Sequence, residues 1–348
     1  MKFSNFLFPA SMDPARDQQI IEETLSEARL CDALGMEMLW LAEHHFDGIC
    51  AYVDPVAFAA AIAACTSRIR IGFAVAQMSL HHPIRMAEQM ALIDNISRGR
   101  LVVGLGRGTA YNIYDYQGYG IDPGEAHERL LEAEDIMVRA WTTENFEHRG
   151  KFWTLRLPLL RPRPYTTPHP PLIRACSTEE ATLDMARAGR PFLMNVQTNE
   201  VTRHRMDRYR ATMRAAGFDE AAVARNVADT WVWRNVFVAP TDGEAERLAR
   251  PAFHAQTEFR QAMRRRVFEE QGVLLKPETS PAARNVPEHS LLCGSPATVA
   301  KAIAEIDAIG VGGLILAFRI GPMPWKVAEQ SIRLFMDEVA PRFRSAPA

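Results

Sequence analysis

Short apolar runs alternate with helix-period segments along this chain, and no other feature constrains its fold as tightly. Lys2–Phe8 reads as a strand. Asp17–Leu34 then sets Ile20, Ile21, Thr24, Leu25 and Ala28 at helical spacing, and Gly35 closes the segment. Further strand-like runs follow at Met36–Leu41, Ile69–Val75, Arg100–Leu105, Leu172–Cys176, Phe192–Val196, Thr230–Val238 and Gly313–Phe318. Helical segments separate them, and Asp54-Pro55 and His82-Pro83 open two of these with proline at the first helical position. Repeated βα alternation predicts a parallel sheet, and eight strand–helix units predict a closed (β/α)8 TIM barrel.

Such a barrel takes about 250 residues, whereas this chain has 348. The surplus falls in two places. Asn145–Leu157 reads as a hairpin and runs into the proline-rich stretch Pro158–Pro171, and residues from about 265 to 293 show no clear period. No linker or low-complexity stretch divides the chain. Residues 1–348 therefore read as a single domain with insertions at about 143–170 and 265–293.

Charge excludes some functions. With 40 basic and 42 acidic residues the net charge is −2, not the basic excess of a dedicated nucleic-acid binder. The local clusters Arg203–Arg214 and Arg264–Arg266 read as solvated helix faces. The longest apolar run, Val56–Cys65, is half the roughly 20 residues a membrane span needs, and Met1–Pro9 lacks a signal-peptide core. Five cysteines without CxxC or Cys/His metal spacing read as free thiols. A cytoplasmic protein without membrane contact is expected.

In a barrel, working residues stand at the C-terminal strand ends. The second strand runs into Glu43-His44-His45, charged groups that are costly to bury unless paired or used. Neighbours on extended chain point opposite ways, so one histidine should face the barrel mouth and the other pack outward. No third ligand stands at helical or hairpin spacing, and His81-His82 can equally cap the next loop. No metal centre is therefore expected.

The fourth strand ends Gly104-Leu105-Gly106-Arg107-Gly108, which is not the dinucleotide fingerprint. Alternating glycines admit a planar ligand or a phosphate close to the backbone, or simply relieve crowding at the rim. Ser177 and Thr178 after the fifth strand suit either a phosphate or an ordinary helix cap. Arg174 and Arg319, at two strand ends, could take an anion or an acidic side chain. Phe8, Trp40, Phe46, Tyr114, Met194 and Phe318 are candidates for pocket or core.

Several segments in order resemble the bacterial luciferase-like family of flavin-dependent monooxygenases. They are Ala42-Glu43-His44-His45-Phe46, then His82–Gln89 with Leu92-Ile93-Asp94 and Ser97–Arg100, Gly104–Gly108, Gly294–Ala300, and Gly321–Pro324 with the helix beyond. The resemblance implies a barrel that binds reduced FMN at its C-terminal rim. The flavin ring would lie near Ala74, Val75, Ala76, Gly104 and Gly106. Its phosphate would be held by Arg107, Ser177 and Thr178 with nearby amides, and Tyr111 would stand beside the flavin. His44 would be catalytic, stabilising or protonating the flavin hydroperoxide formed with O2. A separate NAD(P)H:flavin reductase, a small organic substrate and a homodimer or higher homo-oligomer complete the expectation. Glu179, Glu180 and Ala181 follow where the family often has a second small hydroxyl residue. The alternative is a deazaflavin-dependent dehydrogenase or reductase on the same barrel. A metal-dependent hydrolase barrel would want a His-x-His on the first strand, and Phe3–Phe8 has none.

Overall fold

The alternation becomes eight parallel strands that close on themselves. The computed structural model describes residues 1–11, 13–109, 112–272 and 283–343. The barrel strands are, in chain order, Lys2–Leu7, Met38–Leu41, Arg70–Phe73, Leu101–Gly106, Leu172–Ala175, Phe192–Met194, Trp231–Val238 and Gly313–Ala317. Each pairs with its sequence neighbour, and the first pairs with the eighth through Ser4 opposite Ile315. The predicted (β/α)8 TIM barrel is therefore the observed fold.

Period-two patterning sorts each strand's side chains. Met38, Trp40, Val102, Ile173, Leu193, Trp231 and Ile315 fill the barrel, with Trp40 and Trp231 edge to face at 5.6 Å. Leu39, Leu41, Ile71, Phe73, Val103, Leu105 and Leu316 point outward into the layer beneath the helices. Each such side chain contributes roughly 2 kcal/mol of burial. Caps start the helices where the sequence predicts them. Asp54 accepts the N–H groups of Val56 and Ala57 before the helix Pro55–Cys65, and His82 precedes Pro83–Ser97.

The first surplus region is the expected hairpin, Phe146–Arg149 antiparallel to Thr154–Leu157. The second departs from expectation. The helix after the seventh strand runs Asp242–Gln271, about 45 Å at 1.5 Å per residue, so it enters that region. The region's end, Leu291–Gly294, is a strand paired parallel to Asn235–Val238, on the part of the seventh strand that outruns the barrel. Four residues ending in glycine carry too little period to be read as a strand. Among the described residues, no helix is long and apolar enough to cross a membrane.

Candidate functional site

A cavity of about 580 Å³ opens at the C-terminal ends of the strands. Its floor is made of small groups, Ala42, Ala74, Val75, Gly106, Ala175 and Ala317, from five different strands or the loops just past them. Phe6, Phe8 and Trp233 rise around it. The long helix forms the roof, presenting Ala255, Gln256, Phe259, Arg260, Met263 and Arg264 at spacings of one and three residues, which is one helical face. Its far end is tied down across the mouth. The Tyr114 hydroxyl donates to Glu270 at 2.5 Å, and Gln117 donates to Gln271 at 2.7 Å.

Beside the cavity the second strand's continuation carries a buried carboxylate web. Glu43 is 3% exposed, and its Oε1 accepts from His45 Nε2 at 2.8 Å and His81 Nε2 at 2.5 Å. Its Oε2 accepts the Gln77 backbone N–H at 2.6 Å. Burial pushes the Glu43 pKa up, but these donors and the charge of His81 overcome it and hold the carboxyl down at about 2. Burial pulls His81 down, but the hydrogen bond to Glu43 and the negative charges of Glu43 and Asp54 together hold it above the usual imidazole value. His81 thus supplies the third group that sequence spacing alone did not reveal. Ligand atoms of Glu43, His45 and His81 lie within 4.8 Å of one another, and the nitrogens that would ligate a metal are engaged as donors.

The web continues to His44. Gln77 Nε2 donates to Asp115 Oδ2 at 2.7 Å, and Asn112 Nδ2 donates to the same oxygen at 2.9 Å. Burial raises the Asp115 pKa despite these donors and the two histidines nearby. Asn112 also meets His44 Nδ1 at 3.3 Å. Its orientation is fixed, because Oδ1 accepts the Thr109 backbone N–H at 2.9 Å and that group can only donate. The nitrogen Nδ2 therefore faces His44, so Nδ1 is the acceptor and the imidazole proton sits on Nε2. Phe8 packs edge-on to the ring at 5.0 Å, and Asp47 stands 3.7 Å from Nδ1. Among the described residues Nε2 has no partner. As expected from alternation, His44 opens on the cavity while His45 is buried.

The sequence-predicted residues divide. Ala74 and Val75, joined by a cis peptide, line the cavity with Gly106, Arg107 and Ser177. Arg107 is exposed; its carbonyl accepts from Ser79 at 2.8 Å and from the Tyr116 hydroxyl, while its side chain has no acidic partner among the described residues. Ala76, Gly104 and Thr178 stand elsewhere. Ala76 is buried and paired with Leu105. A Cβ on Gly104 would lie 1.6 Å from the Phe73 carbonyl oxygen, so that glycine serves strand packing. Thr178 caps the helix Glu179–Arg187 by accepting the Ala181 N–H at 3.2 Å. Tyr111 lies outside the described residues. Arg174 and Arg319 take the ion-pair option, with Glu134 and Glu23.

Sequence reading missed Gln77, Asn112, Asp115, Trp233 and the roof. It also missed Arg205, which donates to the Ser177 carbonyl at 3.0 Å and clamps the loop beneath that hydroxyl. The donor set suits a flat heteroaromatic ligand with a phosphate tail. Small groups past five strand ends leave room for a ring, the buried Trp233 Nε1 is a donor with no partner among the described residues, and Arg107 and Ser177 follow the adjacent fourth and fifth strands.

Residues 1–312 match the family model described as luciferase-like monooxygenase. Limonene 1,2-monooxygenase of Rhodococcus erythropolis is 32% identical over 164 residues, 47% of this chain and 42% of that protein. The oxygenase component of the flavin-dependent trigonelline monooxygenase of Acinetobacter baylyi is 30% identical over 173 residues, 49% and 48% of the two chains. The chain thus spans about half the length of these curated relatives. The crystal structure of a monooxygenase from Streptomyces bottropensis superposes with a TM-score of 0.84, at 28% identity over 99% of this chain and all of that one. A secondary alcohol dehydrogenase dependent on the deazaflavin coenzyme F420 shares the fold, with a TM-score of 0.73 at 16% identity over 99% of each chain.

Proposed function

We propose that this chain, which belongs to the luciferase-like monooxygenase family, is the oxygenase of a two-component system, taking reduced FMN from a separate NAD(P)H:flavin reductase to oxygenate a small organic substrate. The relative from Acinetobacter baylyi, named as an oxygenase component, supports the two-component arrangement. The observation that carries the reading is His44 opening on the cavity with Asn112 held at its Nδ1, in a site lined by Ala74, Val75, Gly106, Arg107 and Ser177.

Reduced FMN, when bound, supplies the electrons that activate O2. Ala74, Val75 and Gly106 would support its ring, and Arg107 and Ser177 would hold its phosphate, with Arg205 keeping the Ser177 loop in place. His44 does the proton work. With Nδ1 accepting from Asn112, Nε2–H is the donor left for the cavity, and a protein-held proton there can be delivered when negative charge builds on oxygen. The roof helix, Phe8 and Trp233 keep water from that place.

Anaerobic titration with reduced FMN and with reduced deazaflavin, followed by mixing with O2, tests this reading. Bound reduced FMN should reoxidise with kinetics distinct from free flavin. Tight deazaflavin binding with no effect on FMN reoxidation would replace the reading with a hydride-transferring enzyme.

A further inference from the structure

The roof of the cavity holds a cation with no counter-charge among the described residues. Arg260 is half-buried and lines the cavity, and its Nη2 is closed off from solvent with no hydrogen-bond partner. Its one hydrogen bond among the described residues is long, from Nε to the Gln256 carbonyl at 3.4 Å. No acidic side chain pairs with it among the described residues, whereas Arg319 pairs with Glu23 and Arg174 and Arg190 share Glu134. Burial, reinforced by the positive charge of Arg284, pulls the guanidinium down to about 10. A desolvated guanidinium left without an anion is costly to keep, so its partner is expected to arrive from the cavity.

Its place in the barrel separates it from the phosphate end. Arg107 and Ser177 follow the fourth and fifth strands. Arg260 belongs to the helix after the seventh strand, whose Gln256 packs against Gly321 beyond the eighth, the opposite half of the closed strand order. Phe259, the residue before the cation, and Met263, three residues after it, line the same cavity and are apolar.

Building on the oxygenase reading, we propose that Arg260 anchors the substrate, an organic acid whose oxyanion takes the guanidinium while its apolar body lies along Phe259 and Met263. A planar guanidinium offers two parallel N–H groups to a carboxylate, which fixes orientation as well as affinity. The neutral part of the molecule would then extend toward His44, where the chemistry is placed. The substrate class is thus a singly charged organic carboxylate or similar oxyanion with an apolar chain or ring.

Calorimetric titration of the full chain with octanoate and with 1-octanol, in the presence and absence of FMN, tests this. Octanoate should bind at least about tenfold more tightly than octanol, and Arg260→Gln should erase that preference while changing octanol affinity by less than about threefold. Arg260→Lys should recover part of the preference. Because the replaced cation has no acidic partner among the described residues, Arg260→Gln should melt no lower than the parent, so a lost preference reports recognition. Equal binding of acid and alcohol, or no binding of octanoate, overturns the proposal. It is also overturned if Arg260→Gln weakens FMN but not riboflavin, since the guanidinium would then hold the cofactor's phosphate. Arg260-dependent octanoate binding in a protein that ignores reduced FMN under anaerobic conditions would uphold the anion site and refute the oxygenase reading instead.

Discussion

Glu43 and Gln77 close each other's hydrogen bonds across the ends of the second and third strands. The Gln77 backbone N–H donates to Glu43 Oε2 at 2.6 Å, and the Gln77 side-chain amide donates to the Glu43 carbonyl at 3.0 Å. Since the same amide also reaches Asp115 at 2.7 Å, one glutamine links the carboxylate that holds His45 and His81 to the one beside His44. The segment that carries His44 is held as a unit.

Glu43→Gln should therefore act mainly on stability. It removes the charge facing one buried and one half-buried imidazole and turns an amide NH2 toward the Gln77 backbone N–H, a loss of roughly 3–5 kcal/mol for a broken buried pair. The native carboxyl is held at about 2 instead of 4.5, so its contribution is full above pH 4.5 and is lost as pH falls toward 2. His81, held above its ordinary 6.5, contributes fully below that value and loses its contribution as pH rises past its folded value. Urea unfolding across pH should show both limbs in the parent and flatten both in the variant. Unchanged limbs would remove Glu43 from this role.

Asn112→Ala removes the donor that keeps the His44 proton on Nε2 without touching the cavity floor. Product formed per flavin oxidised should fall about tenfold or more, with hydrogen peroxide released in its place, while FMN affinity stays within about threefold. A variant that couples as well as the parent would show that the tautomer does not matter. His44→Ala should be at least as uncoupled.

Glu27 offers a separate pH test behind the barrel wall. It is fully buried, and burial raises its pKa to about 7 despite Arg319 and a 2.7 Å hydrogen bond from Asn5. A raised carboxyl stabilises the fold below the unfolded value of 4.5 and loses that contribution as pH climbs to 7, by at most about 3 kcal/mol. Glu27→Gln should remove this decline from the stability profile. An identical slope in the two proteins would contradict it.

Gly104→Ala should be far more damaging than its size suggests. The added methyl would meet the Phe73 carbonyl at 1.6 Å, and backbone cannot step aside as a flexible side chain can. A loss of at least about 3 kcal/mol is expected, with the melting transition as the readout. Flavin affinity of whatever protein remains folded should be unaffected, because this glycine packs strands.

The barrel was legible because strand and helix periods are local properties, and the Trp231/Trp233 alternation even marks which side chains enter it. Leu291–Gly294 was not, since its pairing depends on a register with residues more than 50 positions away. The site was half legible. Arg107 and one of the two histidines follow from strand ends, and His44 and Val75 from the family resemblance, but Gln77 and Asp115 join Glu43 and its neighbours across 34 and 38 residues, with nothing in their own surroundings to announce it. Arg260 precedes an arginine-rich run that reads as a solvated face, and only the crossing of its helix over the barrel turns that side chain inward.

The roof helix has a consequence for how such proteins diversify. It contributes no strand to the barrel and no member of the Glu43–Asp115 web, yet six of its side chains meet whatever enters. Exchanging those six side chains would reshape the ceiling of the cavity while leaving the hydrogen-bonded carboxylates beneath it untouched.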